Sequence, residues 1–267
     1  MIEPTLRTLT CPSGELSLRT WHARVPGWIA LIAHGYGEHS GRYQWLADQL
    51  TGARALVCAP DHVGHGDSPG ERVLIEDAET VVSDLEAVRE LLSTEHPELP
   101  VVLIGHSLGG MLATRHAQRY QDRLAAIVLS SPVLGTWHVL DLLENEQIPD
   151  TPIDPDTLSR DPEVGRAYVA DPLVWHGGFR RPTLRAIESC LESINEGPEL
   201  DLPTLWVHGE DDEIVPEVDT RTGIDRVRGR GFHEHVYSGA RHELFNETNR
   251  AEVLNDVLTF VGRELNT

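Results

Sequence analysis

Residues 105–109 read Gly105-His106-Ser107-Leu108-Gly109, a serine held between glycines at the spacing G-x-S-x-G. A serine hydroxyl is a weak nucleophile. It attacks an acyl carbon only with a base to take its proton, a group to orient that base, and N–H donors for the developing oxyanion. The chain offers each part. Carboxylates crowd the stretch Gly209-Glu210-Asp211-Asp212-Glu213-Ile214-Val215-Pro216, and His242 follows within Ser238-Gly239-Ala240-Arg241-His242-Glu243-Leu244-Phe245. Upstream, the glycines of His34-Gly35-Tyr36-Gly37-Glu38-His39 let backbone approach a substrate oxygen. The N–H groups of Tyr36 and Leu108 are the expected oxyanion donors. The chemistry this predicts is acyl transfer through an acyl-enzyme.

Such parts work only if strands and helices aim them. Val101 to Ile104 suits a buried strand and Leu108 to Tyr120 a helix, so Ser107 falls on the strand-to-helix turn that a nucleophile elbow needs. Glu15 to Trp21 alternates like a half-exposed strand, while Trp28 to Ala33 and Arg54 to Ala59 are continuous apolar runs of strands covered on both faces. Val81, Val82, Leu85, Val88, Leu91 and Leu92 recur at helical spacing up to His96-Pro97. Further strands are predicted at Val101–Ile104, Leu124–Leu129, Leu205–Val207 and around Val236-Tyr237, with a last helix from about Arg250 to Leu265. This alternation predicts an α/β fold with a mostly parallel sheet and helices on both faces. Between residues 132 and 198 the alternation stops and prolines accumulate, so an inserted helical cap is expected there, within a single domain spanning 1–267.

Composition narrows the function classes. The 267 residues carry a formal net charge of −21, and all 22 basic residues are arginines. Without lysine there is no P-loop and no Schiff base. The acidity disfavours nucleic acid and anionic lipid as partners. No apolar run approaches the ~18 residues of a membrane span, and the first residues lack the pattern of a secretory signal. Three scattered cysteines, Cys11, Cys58 and Cys190, make neither a disulfide framework nor a zinc site, and a cytoplasmic protein is expected. His62 with His65 and His233 with His235 lack a third ligand, so no metal is expected, and the chemistry needs no cofactor.

Four blocks together resemble the monoacylglycerol lipase family, in the serine-aminopeptidase and lysophospholipase branch of the α/β-hydrolases. They are His34-Gly35-Tyr36-Gly37-Glu38-His39-Ser40-Gly41-Arg42-Tyr43, Asp61-His62-Val63-Gly64-His65-Gly66-Asp67-Ser68, Gly105-His106-Ser107-Leu108-Gly109-Gly110 and Gly209–Pro216. Ser159-Arg160-Asp161-Pro162, Asp171-Pro172-Leu173 and His242-Glu243-Leu244-Phe245-Asn246-Glu247 extend the similarity over nearly the whole chain. The resemblance implies an α/β-hydrolase fold and a triad of Ser107, Asp212 and His242, with Asp211 as the alternative acid. It also implies that Glu38, Arg42 and Tyr168 lie at the polar end of the site, where a glycerol headgroup is received. Two departures stand out. The stretch between Pro132 and Pro155 is shorter than the family's cap, and the bulky Tyr36 occupies a donor position where small or aliphatic residues are frequent.

The expected substrate is a small-molecule lipid ester, a monoacylglycerol cleaved to fatty acid and glycerol. A general carboxylesterase for short acyl esters is the rival enzyme, and a ligand-binding protein on the same fold is the rival outside catalysis. Trp137, Val139, Leu140, Leu142 and Leu143 offer an apolar lid face, which leaves peripheral lipid contact through the cap open. Bland readings compete for several residues. Asp61 to Ser68 reads as a structural loop, Cys190 as an inert hydrophobe on a cap helix, and Glu38 with Arg42 as a simple ion pair.

Overall fold

The computed structural model describes residues 2–265. In chain order the elements are β1 (Thr5–Cys11), β2 (Gly14–Trp21), β3 (Trp28–Ala33), α1 (Gln44–Gly52), β4 (Ala55–Pro60), α2 (Ala78–Glu95), β5 (Val101–His106) and α3 (Leu108–Tyr120). They continue with β6 (Ala126–Ser130), α4 (Pro162–Ala170), α5 (Arg181–Glu196), β7 (Thr204–Gly209), α6 (Glu217–Val227), β8 (Phe232–Tyr237) and α7 (Arg250–Leu265). The strands form one sheet in the order β1-β2-β4-β3-β5-β6-β7-β8. Only the β1–β2 and β2–β4 pairings are antiparallel. This is the mostly parallel sheet that the alternating pattern predicts.

The apolar runs become central strands because both faces are covered. In β3, Ile29 and Leu31 enter a core shared with α2, α3, α5 and α6, while Ala30 and Ile32 enter a second core shared with α1 and α7. Every residue of β3, β4, β5, β6 and β7 is buried. Local signals set the helix ends. Asp77 caps α2 by accepting from the N–H groups of Glu79 and Thr80, and the helix stops just before His96-Pro97.

Two strands were only partly legible. β1 escaped the sequence reading because it is an edge strand with most side chains exposed, paired only with β2 through a Pro12-Ser13 turn. β8 is longer than the Val236-Tyr237 signal because a lone Phe232 is followed by the polar His233-Glu234-His235 on the opposite edge.

The segment between β6 and β7 divides in two. Up to about residue 180 it holds short 3-10 helices at His138–Glu144 and Pro155–Thr157, then α4, which Asp161 caps with Pro162 in its first turn. After that comes α5, which packs against α2 and α3 and buries Leu184, Ile187, Leu191 and Ile194 in their core. Its amphipathic period makes it a helix flanking the sheet. Cys190, expected on a cap helix, therefore sits in the main core. Trp137 is buried and donates from its indole to the Ile214 carbonyl at 2.9 Å, and Val139, Leu140, Leu142 and Leu143 pack inward as well. Among the described residues of this insert, Val169 is the one large apolar side chain that stands well exposed.

Candidate active site

β5 delivers the chain to Ser107 at its carboxyl end, and α3 begins at the next residue. Ser107 has φ 54 and ψ −119, a left-handed conformation costly for a residue with a side chain. Four hydrogen bonds impose it. The Ser107 N–H donates to the Ser130 carbonyl, and its own carbonyl accepts from Gly110, Met111 and Val133. The flanking glycines are required by contact. A Cβ on Gly105 would strike the Gly109 carbonyl, and one on Gly109 would strike the Ala33 carbonyl oxygen. Helix and sheet thus approach closely enough to push the serine outward, as the pentapeptide predicts.

His242 and Asp212 come from the loops after β8 and β7. His242 Nδ1 lies 2.7 Å from Asp212 Oδ2, and both residues are buried. A carboxylate only accepts, so Nδ1 carries the proton and Nε2 is left as the free basic nitrogen. Asp212 Oδ1 accepts from the N–H groups of Ile214 at 3.0 Å and Val215 at 2.9 Å. His208 Nε2 stands 3.4 Å from Oδ2 on the other side. Burial works to raise the Asp212 pKa, but the His242 charge and hydrogen bond, with the His208 ring close by, outweigh it and hold the carboxyl well below the usual range. For His242 the signs reverse. Burial works to lower its pKa, and the Asp212 charge and hydrogen bond raise it above 6.5. Asp211, the alternative acid, is exposed, and its side chain bonds no described residue.

Ser107 and His242 line one cleft together with Tyr36 and Leu108. Leu108 is the first residue of α3, so its N–H has no partner within the helix. The Tyr36 N–H likewise has no protein acceptor among the described residues. Its loop is held by the Gly35 N–H, which donates to Glu38 Oε1 at 2.7 Å. The unusual bulk of Tyr36 is absorbed by the insert, since its ring stacks on Phe179 with centroids 4.6 Å apart. The Trp175 N–H also donates to the Gly37 carbonyl at 2.8 Å, tying the insert to the same loop.

Glu38, Arg42 and Tyr168 line this cleft too, and they do not act alone. Arg42 pairs with Glu38 at 2.8 Å, as the bland reading expects, but it also makes a two-pronged pair with Glu243 at 2.6 and 2.8 Å. Its guanidinium lies over the Tyr168 ring, 5.0 Å from the centroid. Tyr43 donates to Glu38 Oε1 at 2.6 Å, and Asn246 donates to Glu243 Oε2 at 2.8 Å. Burial works to raise the Glu243 pKa, and Arg42 overrides it to hold the carboxyl at about 2. The rest of the lining is largely apolar and includes Val133, Trp137, Ile153, Leu158, Phe179 and Ile214.

The remaining candidates are framework. Asp61 Oδ1 accepts from the backbone and hydroxyl of Ser40, and Oδ2 accepts from the Asp67 N–H, which shapes the loop as expected. The rings of His34, His62 and His65 pack against one another, tilted or edge-on, with His65 edge-on to Tyr36, and burial lowers His62 to about 3 and His65 to about 4. Among the described residues no group of three or more His, Cys, Asp or Glu is placed to hold a metal ion.

The sequence reading missed Glu243 and His208. Glu243 adjoins His242 in a block already singled out, but only the folded chain brings Arg42 across from it. His208 is the next-to-last residue of β7, three residues before the acidic pair Asp211-Asp212. The Trp206 indole donates to its Nδ1 at 3.1 Å, so Nε2 carries the proton and donates to the Val215 carbonyl at 2.8 Å.

Comparison with known proteins identifies the family and the fold. A monoacylglycerol lipase of Mycolicibacterium smegmatis is 37% identical over 251 residues, covering 90% of this chain and 90% of that protein. The monoglyceride lipase of Homo sapiens is 33% identical over 248 residues, covering 87% of this chain and 80% of that one. The crystal structure of a Paleococcus ferrophilus monoacylglycerol lipase superposes with a TM-score of 0.81 at 27% identity, covering 93% of this chain and 99% of that one. The serine aminopeptidase S33 family matches residues 25–249. With that match and the sheet described above, the chain belongs to the serine aminopeptidase S33 family of hydrolases and has the α/β-hydrolase fold.

Proposed function

We propose that the protein is a monoacylglycerol lipase acting through Ser107, His242 and Asp212. The observation that carries the reading is the mixed lining of the cleft. Ser107 and His242 share it with apolar side chains suited to an acyl chain and with a buried Glu38–Arg42–Glu243 cluster suited to a polar alcohol. His242 Nε2 takes the Ser107 proton as the hydroxyl attacks the ester carbonyl, while Asp212 holds the imidazole in the required tautomer. The N–H groups of Tyr36 and Leu108 receive the oxyanion. His242 then protonates the departing glycerol oxygen and activates a water that releases the fatty acid.

We further place the protein in the cytoplasm, a reading supported by three buried, unpaired cysteines. Among the described residues no helix is long and apolar enough to cross a membrane. Any peripheral lipid contact of the cap has Val169 as its apolar anchor. The cap itself we take as residues 132–180, with α5 left to the main fold.

Hydrolysis of a monoacylglycerol series of rising chain length, beside matched alkyl esters and with Ser107→Ala as control, tests the reading. Turnover of long-chain monoacylglycerols that vanishes in Ser107→Ala is expected. The rival carboxylesterase is favoured by one feature, the Trp137–Phe179 edge-to-face pair with centroids 5.5 Å apart, two bulky rings that both line the cleft. Turnover confined to short alkyl esters would decide for it.

A further inference from the structure

The polar end of the cleft has an unbalanced charge. Two carboxylates, Glu38 and Glu243, face one guanidinium, Arg42, and all three side chains are at most 10% exposed. The neighbouring imidazole does not restore the balance, because burial and the His242 charge lower His106 to about 4. The hydrogen-bond inventory has the same polarity. Both terminal nitrogens of Arg42 are taken by carboxylates, as are the Tyr43 hydroxyl and the Asn246 amide. Each of Glu38 Oε2 and Glu243 Oε1 accepts a single hydrogen bond, so unused lone pairs remain. This end has carboxylate lone pairs free to accept from a ligand, and the donors left over beside them are the Tyr168 hydroxyl and the Arg42 Nε–H, which bond no described residue.

In the proposed mechanism its neighbours assign it to the leaving-group side. Glu243 is bonded to His242, the residue that protonates the departing alcohol, and Glu38 holds the oxyanion loop through Gly35. We propose that this site selects ester substrates by the charge of the alcohol, admitting uncharged polyols and cationic alcohols and rejecting anionic ones, with Glu243 as the specificity-determining residue. The proposal rests on the reading that the polar end receives the alcohol. A hydroxyl or cation finds acceptors and negative charge there. A phosphate only accepts, and it meets an uncompensated negative charge in a poorly solvated site, where Coulomb terms are large.

Three esters of one acyl chain test it: 1-decanoylglycerol, decanoylcholine and 1-decanoylglycerol 3-phosphate, with ethyl decanoate as reference. The choline ester is expected to keep kcat/KM within about tenfold of the acylglycerol's, and the phosphate ester to fall by more than about tenfold, or about 1.4 kcal/mol. The loss is expected to persist at about 0.5 M salt, which screens the chain's overall charge but not a buried pair. Glu243→Gln, or Glu38→Gln if the first does not fold, is expected to shrink the discrimination by at least about threefold while Ser107 still reacts with a fluorophosphonate. A phosphate ester cleaved within tenfold of the acylglycerol overturns the proposal. So does a comparable loss for the choline ester, disappearance of the effect in salt, or a variant with unchanged discrimination. If instead the acylglycerol is cleaved no faster than ethyl decanoate, the proposed lipase activity fails while the charge ranking can still be read.

Discussion

Replacing Asp212 by asparagine puts a sharp choice to the site. The carboxylate now takes donors on both sides, the Ile214 and Val215 N–H groups on Oδ1 and His242 on Oδ2. An asparagine must turn its NH₂ toward one side. Facing Ile214 and Val215, it would leave two buried N–H donors against donors, at about 1–3 kcal/mol each and so roughly 2–6 kcal/mol together. Facing His242, it meets a ring that can shift its proton to Nε2 and accept at Nδ1 for little cost. His208 does not oppose that choice, because its Nε2 proton keeps the Val215 carbonyl at 2.8 Å. The second orientation wins, and it leaves His242 unable to take the Ser107 proton. The expected loss in kcat is about 10⁴-fold with the fold intact, as for a triad whose histidine is held in the wrong tautomer. Asp211→Asn, at an exposed side chain, is expected to change kcat by less than about threefold. The assay is kcat on a soluble monoacylglycerol beside a thermal melt of each variant. Activity of Asp212→Asn within about 100-fold of wild type, or a larger loss in Asp211→Asn, would refute the reasoning.

Three other outcomes follow from the same geometry. His242 must be neutral to act, and its pKa is raised above 6.5, so the acid limb of kcat/KM is expected to have its midpoint above pH 6.5; a midpoint at or below that value refutes the Asp212 coupling. His34, His62, His65 and His106 have depressed pKa values, with His62 at about 3 and His65 and His106 at about 4. The unfolded chain therefore binds their protons first, so their contribution to stability is complete above pH 6.5 and is lost progressively toward pH 3–4. Tm is expected to fall between about pH 6.5 and 5, above the carboxylate range, and a flat Tm there would contradict the buried neutral cluster. Gly109→Ala drives a methyl into the Ala33 and His34 carbonyls, which are backbone and cannot swing aside. A loss of about 1–3 kcal/mol by urea denaturation is expected, together with loss of activity, and a change under about 0.5 kcal/mol would refute the close packing.

Much of the site was legible in the linear chain because each part carries a local physical constraint. G-x-S-x-G marks a turn where backbone touches backbone, and the apolar runs before Ser107 and before His34 mark strands buried on both faces. Helix boundaries at Leu108, Tyr120 and Arg250 followed from period and punctuation alone. These features depend on neighbours in sequence, so sequence records them. The long-range choices were not so recorded. Composition alone leaves Asp211 and Asp212 equivalent; the resemblance favours Asp212, and the turn that buries it and exposes Asp211, with Ile214, Val215 and His242 converging on it, supplies the physical reason. β1 and the start of β8 lack a two-sided apolar signal because edge strands are covered on fewer sides. α5 reads as cap by chain position, yet its apolar stripe finds α2 and α3. The ion-pair cluster at the polar end joins residues 42 and 243, some 201 positions apart. Local propensity and packing period are written along the chain, whereas which charge meets which across the cleft is decided only when the sheet closes the distance between loops.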